Sequence, residues 1–195
     1  MKPASKNATT DAQDAIALLT DDHKTVQKLF KEYEKLTQND ADEEEKGALA
    51  KQICTELAFH AQIEEEIFYP AVREAMEDGD LLDEAEVEHA SAKELIAQIE
   101  AMAPGEELYD AKVTVLGEYV NHHIGEEQDE MFPQAKKAKL DTASLGAELM
   151  ERKLELQAEL GVGEETDDGE TEEEETVTAG GRKPASKPSK ARAAK

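Results

Sequence analysis

The chain has 195 residues, of which 38% are hydrophobic, 35% charged and 4% aromatic, and its formal net charge is −25. This charge disfavours a nucleic-acid or anionic-membrane surface on the folded part, and the single cysteine, Cys54, excludes a disulfide framework or a cysteine-built metal site within one chain. No apolar run approaches the roughly 18 residues of a membrane helix, and the first twenty residues lack the apolar core of a signal sequence, so we predict a soluble cytoplasmic protein.

Amphipathic helical patterns follow one another through the middle of the chain. They cover residues 14–36, 44–78, 81–102, 107–139 and 142–160. Pro70 and Pro133 lie inside the second and fourth patterns, where each is expected to kink or split the helix, and Asp141 is the expected N-cap of the fifth. Four long helices with short connections predict an all-α fold, an antiparallel up-down-up-down four-helix bundle with a short fifth helix.

The segments that flank the predicted bundle have no helical period. Residues 1–13 are polar, nine acidic residues lie within 164–175, and six basic residues lie within 182–195. These segments cannot bury enough apolar surface to offset the entropy lost on ordering. We therefore predict a disordered N-terminus over residues 1–13, a bundle over 14–160 and a disordered, acidic-then-basic tail over 161–195.

Each of the four long helical patterns has a stripe of apolar residues that is expected to face the bundle interior. Four of the five histidines lie on these inner stripes, one on each, at positions where apolar residues are expected. The second and fourth stripes also carry a glutamate four residues after the histidine, on the same helix face. We expect six side chains to converge in the bundle core as metal ligands: His23, His60, Glu64, His89, His123 and Glu127.

The two core glutamates need a compensating positive charge. An unpaired buried carboxylate costs several kcal/mol or changes its pKa strongly, and no Lys or Arg lies on these stripes near either glutamate. Imidazole and carboxylate donors without thiolate suit iron, manganese or zinc. Six ligands are too many for one tetrahedral site and about right for two metals with bridging glutamates. The competing interpretations are hydrogen-bonded core histidines and a metal-free acidic scaffold.

An internal repeat supports the two-metal interpretation. His60 and Glu64 are followed by Phe-Tyr-Pro, and His123 and Glu127 are followed by Met-Phe-Pro, with ten residues from histidine to proline in both. An Asp-His pair in the first pattern likewise matches a Glu-His pair in the third. Two hairpins of one design predict a pseudo-twofold axis through a symmetric site. The repeat aligns His123 with His60 and leaves His122 on the flank.

These motifs resemble the hemerythrin-like cation-binding family, also called HHE domains, over residues 14–160. The resemblance implies a four-helix bundle with a non-haem di-iron centre, two iron ions per chain bridged by two carboxylates and an oxygen species. Oxygen-carrying hemerythrins have a second histidine on the third helix and an aspartate on the fourth, where this chain has Lys93 and Gln128. This difference disfavours reversible oxygen carriage and favours the bacterial members that sense iron or oxygen or handle nitric oxide and oxidative stress.

Two functions stay open at this point. In the first, the di-iron site binds or senses O2, NO or peroxide, or supplies iron, in a stress response; if it is an enzyme, it is an oxidoreductase acting on NO or peroxide. In the second, the metal is stored or structural cargo of a regulatory protein whose basic tail contacts nucleic acid or another polyanion. A Lys-Pro-Ala-Ser-Lys motif at residues 2–6 recurs at 183–187, and a merely solvating tail is the alternative.

Neighbours of the predicted ligands have roles that the sequence leaves open. Asp22 and Glu88 each precede a ligand histidine, and successive helical residues point about 100° apart, so both residues of a pair cannot face the metal equally. Each acid is either solvated on the flank of its helix or hydrogen-bonds a ligand histidine, and Glu88 is alternatively an extra metal ligand. Three tyrosines pack in the core or donate to a bound oxygen species: Tyr33, Tyr69 and Tyr119. Glu65 is predicted to be solvated.

Overall fold

The computed structural model describes residues 13–76 and 79–161, and these residues form five helices. Helix α1 spans Ala15–Gln38, α3 spans Asp80–Glu100 and α5 spans Thr142–Glu159. Helices α2 and α4 each consist of three consecutive segments with a π-helical turn in the middle. These segments are Glu43–Ile63, Glu64–Phe68 and Tyr69–Ala75 in α2, and Tyr109–Glu126, Glu127–Met131 and Phe132–Lys137 in α4.

The helices begin where capping side chains satisfy free backbone N–H groups. The Asp14 carboxylate accepts hydrogen bonds from the N–H groups of Ile16 and Ala17, and Asp42 caps α2 in the same way. Asp141 caps α5 by accepting from the N–H of Ser144, as the sequence predicted. Apart from Gln13 and Gly161, the predicted disordered terminus and charged tail lie outside the described residues.

Helices α1 to α4 form the bundle that the amphipathic patterns predict. Helix α1 packs against α2 and α4, and α3 packs against α4 and α2, so the four helices surround one interior. The predicted all-α four-helix bundle is confirmed. Within the part of the chain that the structure describes, no helix has the combination of length and apolar character needed to cross a membrane.

The apolar core consists of two clusters, one toward each end of the bundle. One cluster contains Leu19, Ile63 and Phe68, and the other contains Ile53 and Leu116. On α1 and α3 the predicted ligand histidine, and on α4 the predicted ligand Glu127, lies between a stretch of the chain that belongs to one cluster and a stretch that belongs to the other. A layer of polar side chains therefore crosses the bundle between two apolar regions.

The prolines of α2 and α4 continue their helices instead of splitting them. Each follows a π-helical turn in which an N–H reaches the carbonyl five residues back, from Tyr69 to Glu64 and from Phe132 to Glu127. Proline has no N–H to continue an α-helical ladder, and single π-helical turns inside α-helices are frequent at functional sites. Both turns begin at a predicted bridging glutamate.

The extra residue in the π-helical turn changes which side chains face the core. Phe68, Tyr69 and Val72 are buried, whereas Ile67 and Ala71, which the regular period places on the inner stripe, are only partly buried. The sequence prediction failed here because it assumed 3.6 residues per turn throughout the helix.

Helix α5 packs outside the bundle against α1 and α2. Its Gly146 passes so close to the start of α1 that an added Cβ would lie 2.1 Å from the carbonyl oxygen of Gln13. Leu149 and Leu156 are buried as predicted, while Leu160, predicted on the same stripe, is exposed. The close contact fixes the position of α5 along α1, beside the histidine layer.

Candidate metal centre

All six predicted ligand side chains meet in the layer between the two apolar clusters. None is more than 7% exposed. We call them the inner cluster: His23 from α1, His60 and Glu64 from α2, His89 from α3, and His123 and Glu127 from α4. Their ring nitrogens and carboxylate oxygens form two overlapping groups of atoms that lie close enough together to hold metal ions.

The first group joins two imidazoles and both carboxylates. The Nε2 atoms of His23 and His60 lie 3.0 Å apart. His23 Nε2 is 3.1 Å from an oxygen of Glu127, and His60 Nε2 is 3.2 Å from an oxygen of Glu64. With ligand bonds of about 2.1 Å, donor atoms on one ion lie about 3.0 Å apart at a right angle and about 3.4 Å apart at a tetrahedral angle. These separations match one shared ion.

The second group contains the other two imidazoles. The Nε2 atoms of His89 and His123 lie 3.1 Å apart. His89 Nε2 is 3.5 Å from the same Glu64 oxygen that contacts His60, and His123 Nε2 is 3.7 Å from the Glu127 oxygen that contacts His23. Each glutamate thus lies between one imidazole of the first group and one of the second, which is the placement of a bridging ligand.

Three of the four carboxylate oxygens of the inner cluster lack a hydrogen-bond donor, and the fourth, Glu127 Oε1, accepts from the Tyr69 hydroxyl over 3.0 Å. Both oxygens of Glu64 and the Oε2 atom of Glu127 are buried without a hydrogen-bond partner. Burial raises the pKa of the Glu64 carboxyl well above its usual range, and the neighbouring charge of Glu127 raises it further. Buried carboxylates without donors are rare unless a cation compensates them. The donor set therefore fits a metal ion, and the His/Glu cluster is compatible with metal binding.

A carboxylate outside the inner cluster, that of Glu65, fixes the orientation of His89. The Nδ1–H of His89 donates to Glu65 Oε1 over 2.9 Å, and the Lys93 ammonium donates to the same oxygen over 2.7 Å. Because the carboxylate only accepts, the proton of the neutral ring is on Nδ1 and the lone pair is on Nε2, toward the inner cluster. Burial lowers the pKa of His89 to about 4, so the ring is neutral at physiological pH. Glu65 is half-buried and accepts hydrogen bonds from His89 and Lys93, so the prediction that it is solvated is wrong.

Glu88 holds His123 in the same way. The Nδ1–H of His123 donates to Glu88 Oε2 over 2.8 Å, so the Nε2 lone pair of His123 also points inward. Two lone pairs then face each other across 3.1 Å, an arrangement that repels unless a cation or a proton lies between them. Of the roles left open for Glu88, the structure shows the support of a histidine. His122 is 67% exposed on the flank.

The other two histidines have different supports. The side-chain amide of Gln128 lies 3.1 Å from His23 Nδ1 and can present either its oxygen or its nitrogen to the ring. Asp22 lies 3.7 Å from His60 Nδ1, and the Lys153 ammonium from α5 donates to Asp22 over 2.6 Å. Burial lowers the pKa of His60, which keeps this ring neutral and available as a ligand.

A small cavity adjoins the inner cluster. Its volume is about 40 Å³, and all four imidazoles of the cluster line it. The remaining wall is mainly aliphatic, with Leu57, Ile96 and Val120 among its members. A water molecule needs about 10–15 Å³ of such space, so the cavity accommodates a molecule of two or three non-hydrogen atoms. The aliphatic part of the wall limits the contact of the four imidazoles with bulk water, and each of them is at most 7% exposed.

Sequence reasoning missed the supports that come from outside the helical stripes. Glu65 follows a predicted ligand directly, and its role was not visible because it lies on a different helix face. Lys153 lies on α5, 131 residues from its partner Asp22. The repeat signalled only Asp22 and Glu88, the acids that precede His23 and His89 at matching positions, and no pattern in the sequence signalled Glu65 or Lys153.

The comparisons with known proteins agree with this geometry. The model of the hemerythrin HHE cation binding domain matches residues 14–135. A DNA nickase of Nostoc sp. is 30% identical over 151 residues, which make up 76% of this chain and 41% of the nickase, so the chain spans about two fifths of that relative. The crystal structure of a hemerythrin HHE cation binding domain-containing protein from Mycobacterium kansasii matches 76% of this chain and 90% of that chain, with a TM-score of 0.63 and 21% identity; this likeness shows the shared fold.

Proposed function

Because the chain belongs to the hemerythrin HHE cation-binding family, we propose that it holds two iron ions in the inner cluster and binds O2, NO or peroxide there in a stress response. The observation that carries the proposal is the pair of buried glutamates, three of whose four oxygens lack a donor, while four imidazoles converge on them. His23 and His60 would hold one ion, His89 and His123 the other, and Glu64 and Glu127 would bridge. Imidazole and carboxylate donors suit iron in either ferrous or ferric form.

The protein residues would prepare the site for both the metal and its small ligand. Glu65 and Glu88 accept hydrogen bonds from the Nδ1–H groups of His89 and His123. The Nε2 lone pairs of both rings are therefore free before any metal binds. The aliphatic cavity admits a diatomic molecule or peroxide and leaves no room for a larger substrate. The iron pair, when bound, supplies the redox chemistry, and the surrounding side chains set solvent access and charge.

Metal content tests the proposal directly. We expect two iron ions per chain, by mass spectrometry, in protein purified without oxygen. Glu64→Ala should keep the fold and lose both ions, whereas Glu74→Ala, which removes an exposed carboxylate from the same helix, should keep them. One tightly held zinc, or two ions retained by Glu64→Ala, would contradict the proposal.

The response to ligands distinguishes the remaining possibilities. O2, NO and peroxide are added separately to the iron-loaded protein, and both the absorption spectrum and the consumption of each ligand are followed. A spectral change without turnover indicates a sensor, and repeated consumption of NO or peroxide indicates an oxidoreductase. Iron that leaves readily to a chelator, with no response to any of the three, indicates iron supply.

A second candidate function is a regulatory or storage protein whose basic segment contacts nucleic acid or another polyanion. Residues 182–195 contain six basic residues, and a similar protein is a DNA nickase, although this chain spans only 41% of it. Phosphate contacts by Lys and Arg weaken steeply as salt rises. We expect DNA binding at low salt that decreases at moderate salt and disappears when residues 176–195 are deleted. Unchanged binding after the deletion would remove this candidate.

A further inference from the structure

Helix α5 reaches the edge of the inner cluster through one lysine. The ammonium group of Lys153 donates to Asp22 Oδ1 on α1 over 2.6 Å. The two side chains are only 15% and 14% exposed, so this ion pair is mostly shielded from water. Asp22 directly precedes the predicted ligand His23 in the chain, but its other oxygen faces a predicted ligand on a different helix, His60 of α2.

Asp22 and His60 form a matched but incomplete pair. Asp22 Oδ2 lies 3.7 Å from His60 Nδ1, which is too long for a hydrogen bond, and both atoms are buried without a hydrogen-bond partner. A carboxylate oxygen accepts, and the Nδ1 of a neutral imidazole can donate. A shift of about 0.7 Å would complete the bond. It would place the ring proton on Nδ1 and the lone pair on Nε2, toward the inner cluster.

The same order of lysine, carboxylate and imidazole occurs in complete form on the other side of the inner cluster. Lys93 donates to Glu65, and Glu65 accepts from the Nδ1–H of His89. All three of these residues belong to helices of the four-helix bundle, α2 and α3. The lysine of the pair that faces His60 comes instead from α5, which packs outside the bundle.

The two metal-binding groups therefore differ in what supports their imidazoles. In the second group, His89 is held by Glu65 from α2 and His123 by Glu88 from α3, so both supports come from the bundle itself. In the first group, the acid that faces His60 has its charge compensated by a cation from α5. The docking of α5 is thus coupled to one group through a direct chain of contacts.

We propose that Lys153 is a positioning residue for the ion held by His23 and His60, and that it makes retention of this ion depend on the docking of α5. By holding Asp22 beside His60 Nδ1, the lysine favours the tautomer that presents Nε2 to the metal. Without the lysine, Asp22 is a mostly buried carboxylate that has lost its paired cation, and turning toward solvent becomes favourable. This inference rests on the proposed iron site, and it makes the two metal positions unequal in how firmly they hold their ions.

The experiment loads the full chain with ferrous iron without oxygen and titrates it with a ferrous chelator of known affinity. In Lys153→Met one of the two ions should be held about 10–100-fold more weakly than in the wild type, and the other should keep its affinity, because lost support of a ligand histidine typically has an effect of this size. Lys153→Arg, which keeps the charge, should retain most of the affinity. The control is Arg152→Gln, which removes the neighbouring ion pair of α5 with Glu66 on α2 and should keep both ions.

A double variant separates positioning from stability. Asp22→Asn should weaken the same ion, since a neutral amide is a poorer acceptor than a carboxylate. Lys153→Met combined with Asp22→Asn should recover most of the Tm lost by Lys153→Met and still hold this ion as weakly as Asp22→Asn does. A double variant that regains metal affinity together with Tm would show that the lysine acts through stability alone, and would overturn the inference.

The metal count separates failure of this inference from failure of the iron site. Two ions held with wild-type affinity in Lys153→Met would overturn the role of the lysine and leave the iron site standing. Equal weakening of both ions, or the same loss in Arg152→Gln, would also overturn it. A wild-type chain without bound iron would overturn both proposals. If Lys153→Met folds poorly, the double variant tests the inference, because it leaves no unpaired carboxylate, and wild-type affinity for both ions in it would overturn the inference as well.

Discussion

Replacing Glu64 by glutamine is expected to have opposite effects on the apo-protein and the metal-loaded protein. In the apo-protein the Glu64 carboxylate is fully buried without a donor, and an unsatisfied buried polar group costs about 1–3 kcal/mol. Glutamine keeps the volume, carries no charge, and can donate its amide N–H to His60 Nε2, which lies 3.2 Å from the present oxygen. Glu64→Gln should therefore stabilise the apo-protein by about 1–3 kcal/mol, or about 2–12 °C in Tm.

The size of this stabilisation should depend on pH. The pKa of Glu64 is raised in the folded state above its ordinary value of 4.5, so the wild-type apo-protein loses stability as pH rises through the folded pKa. Below about pH 4.5 the carboxyl is protonated in both states, and the variant should match the wild type. The difference in Tm should therefore appear and grow as pH increases.

In the metal-loaded protein Glu64→Gln should lower the stability instead of raising it, because glutamine is a poorer ligand and cannot bridge as a carboxylate does. A tenfold weaker metal affinity removes about 1.4 kcal/mol of stabilisation at a given free-metal concentration. The assay is thermal unfolding of apo and iron-loaded protein from pH 5 to pH 9, with Glu74→Gln as the exposed control on the same helix. A lower apo Tm of Glu64→Gln at high pH, or an unchanged iron affinity of this variant, would refute the expected role of Glu64.

Three further predictions concern the protonation of His89, the packing of α5 on α1 and the ion pair between α5 and α1. Because burial lowers the pKa of His89 from 6.5 to about 4, this ring should contribute a loss of about 3 kcal/mol between pH 6.5 and pH 4, measured as the change in the stability difference between wild type and His89→Gln in urea unfolding, and a pH-independent difference would contradict this. Gly146→Ala should lower Tm markedly, because the new Cβ would lie 2.1 Å from the backbone oxygen of Gln13; an unchanged Tm would refute the close packing of α5 on α1. Lys153→Met should destabilise the protein by about 1–3 kcal/mol because it leaves Asp22 with its charge uncompensated, and combining it with Asp22→Asn should restore most of the loss in a double-mutant cycle.

The six residues of the inner cluster were accessible from the sequence because side chains three and four residues apart share a helix face. His123 and Glu127 lie in phase with Val120, and that phase alone puts them inside. The structure brings all six together as expected, and their binding of metal stays a proposal. The repeat also singled out His123 over His122, and the exposure of His122 agrees with that choice.

The helix period did not distinguish Tyr69 from the other tyrosines that the sequence offered near the site. A regular helix period from His60 turns Ile67 toward the interior, and only the π-helical turn beginning at Glu64 places Tyr69 there instead. Hydrophobic periodicity does not indicate one extra residue in a helical turn. The proline that follows the turn is the one local signal of it. Contacts such as Lys153 with Asp22 depend on where α5 docks, and docking of one helix on another is a tertiary property that local pattern does not encode.

The polar layer between the two apolar clusters has a consequence for the motions of the bundle. Each end of the molecule has its own hydrophobic packing, so the two ends can open to solvent as separate cooperative units when nothing joins them across the middle. Ions bound in the layer would link four helices at once, since their ligands come from α1, α2, α3 and α4. Metal loading would then merge two locally unfolding units into one, and amide hydrogen exchange at both ends would slow together, far from the metal itself.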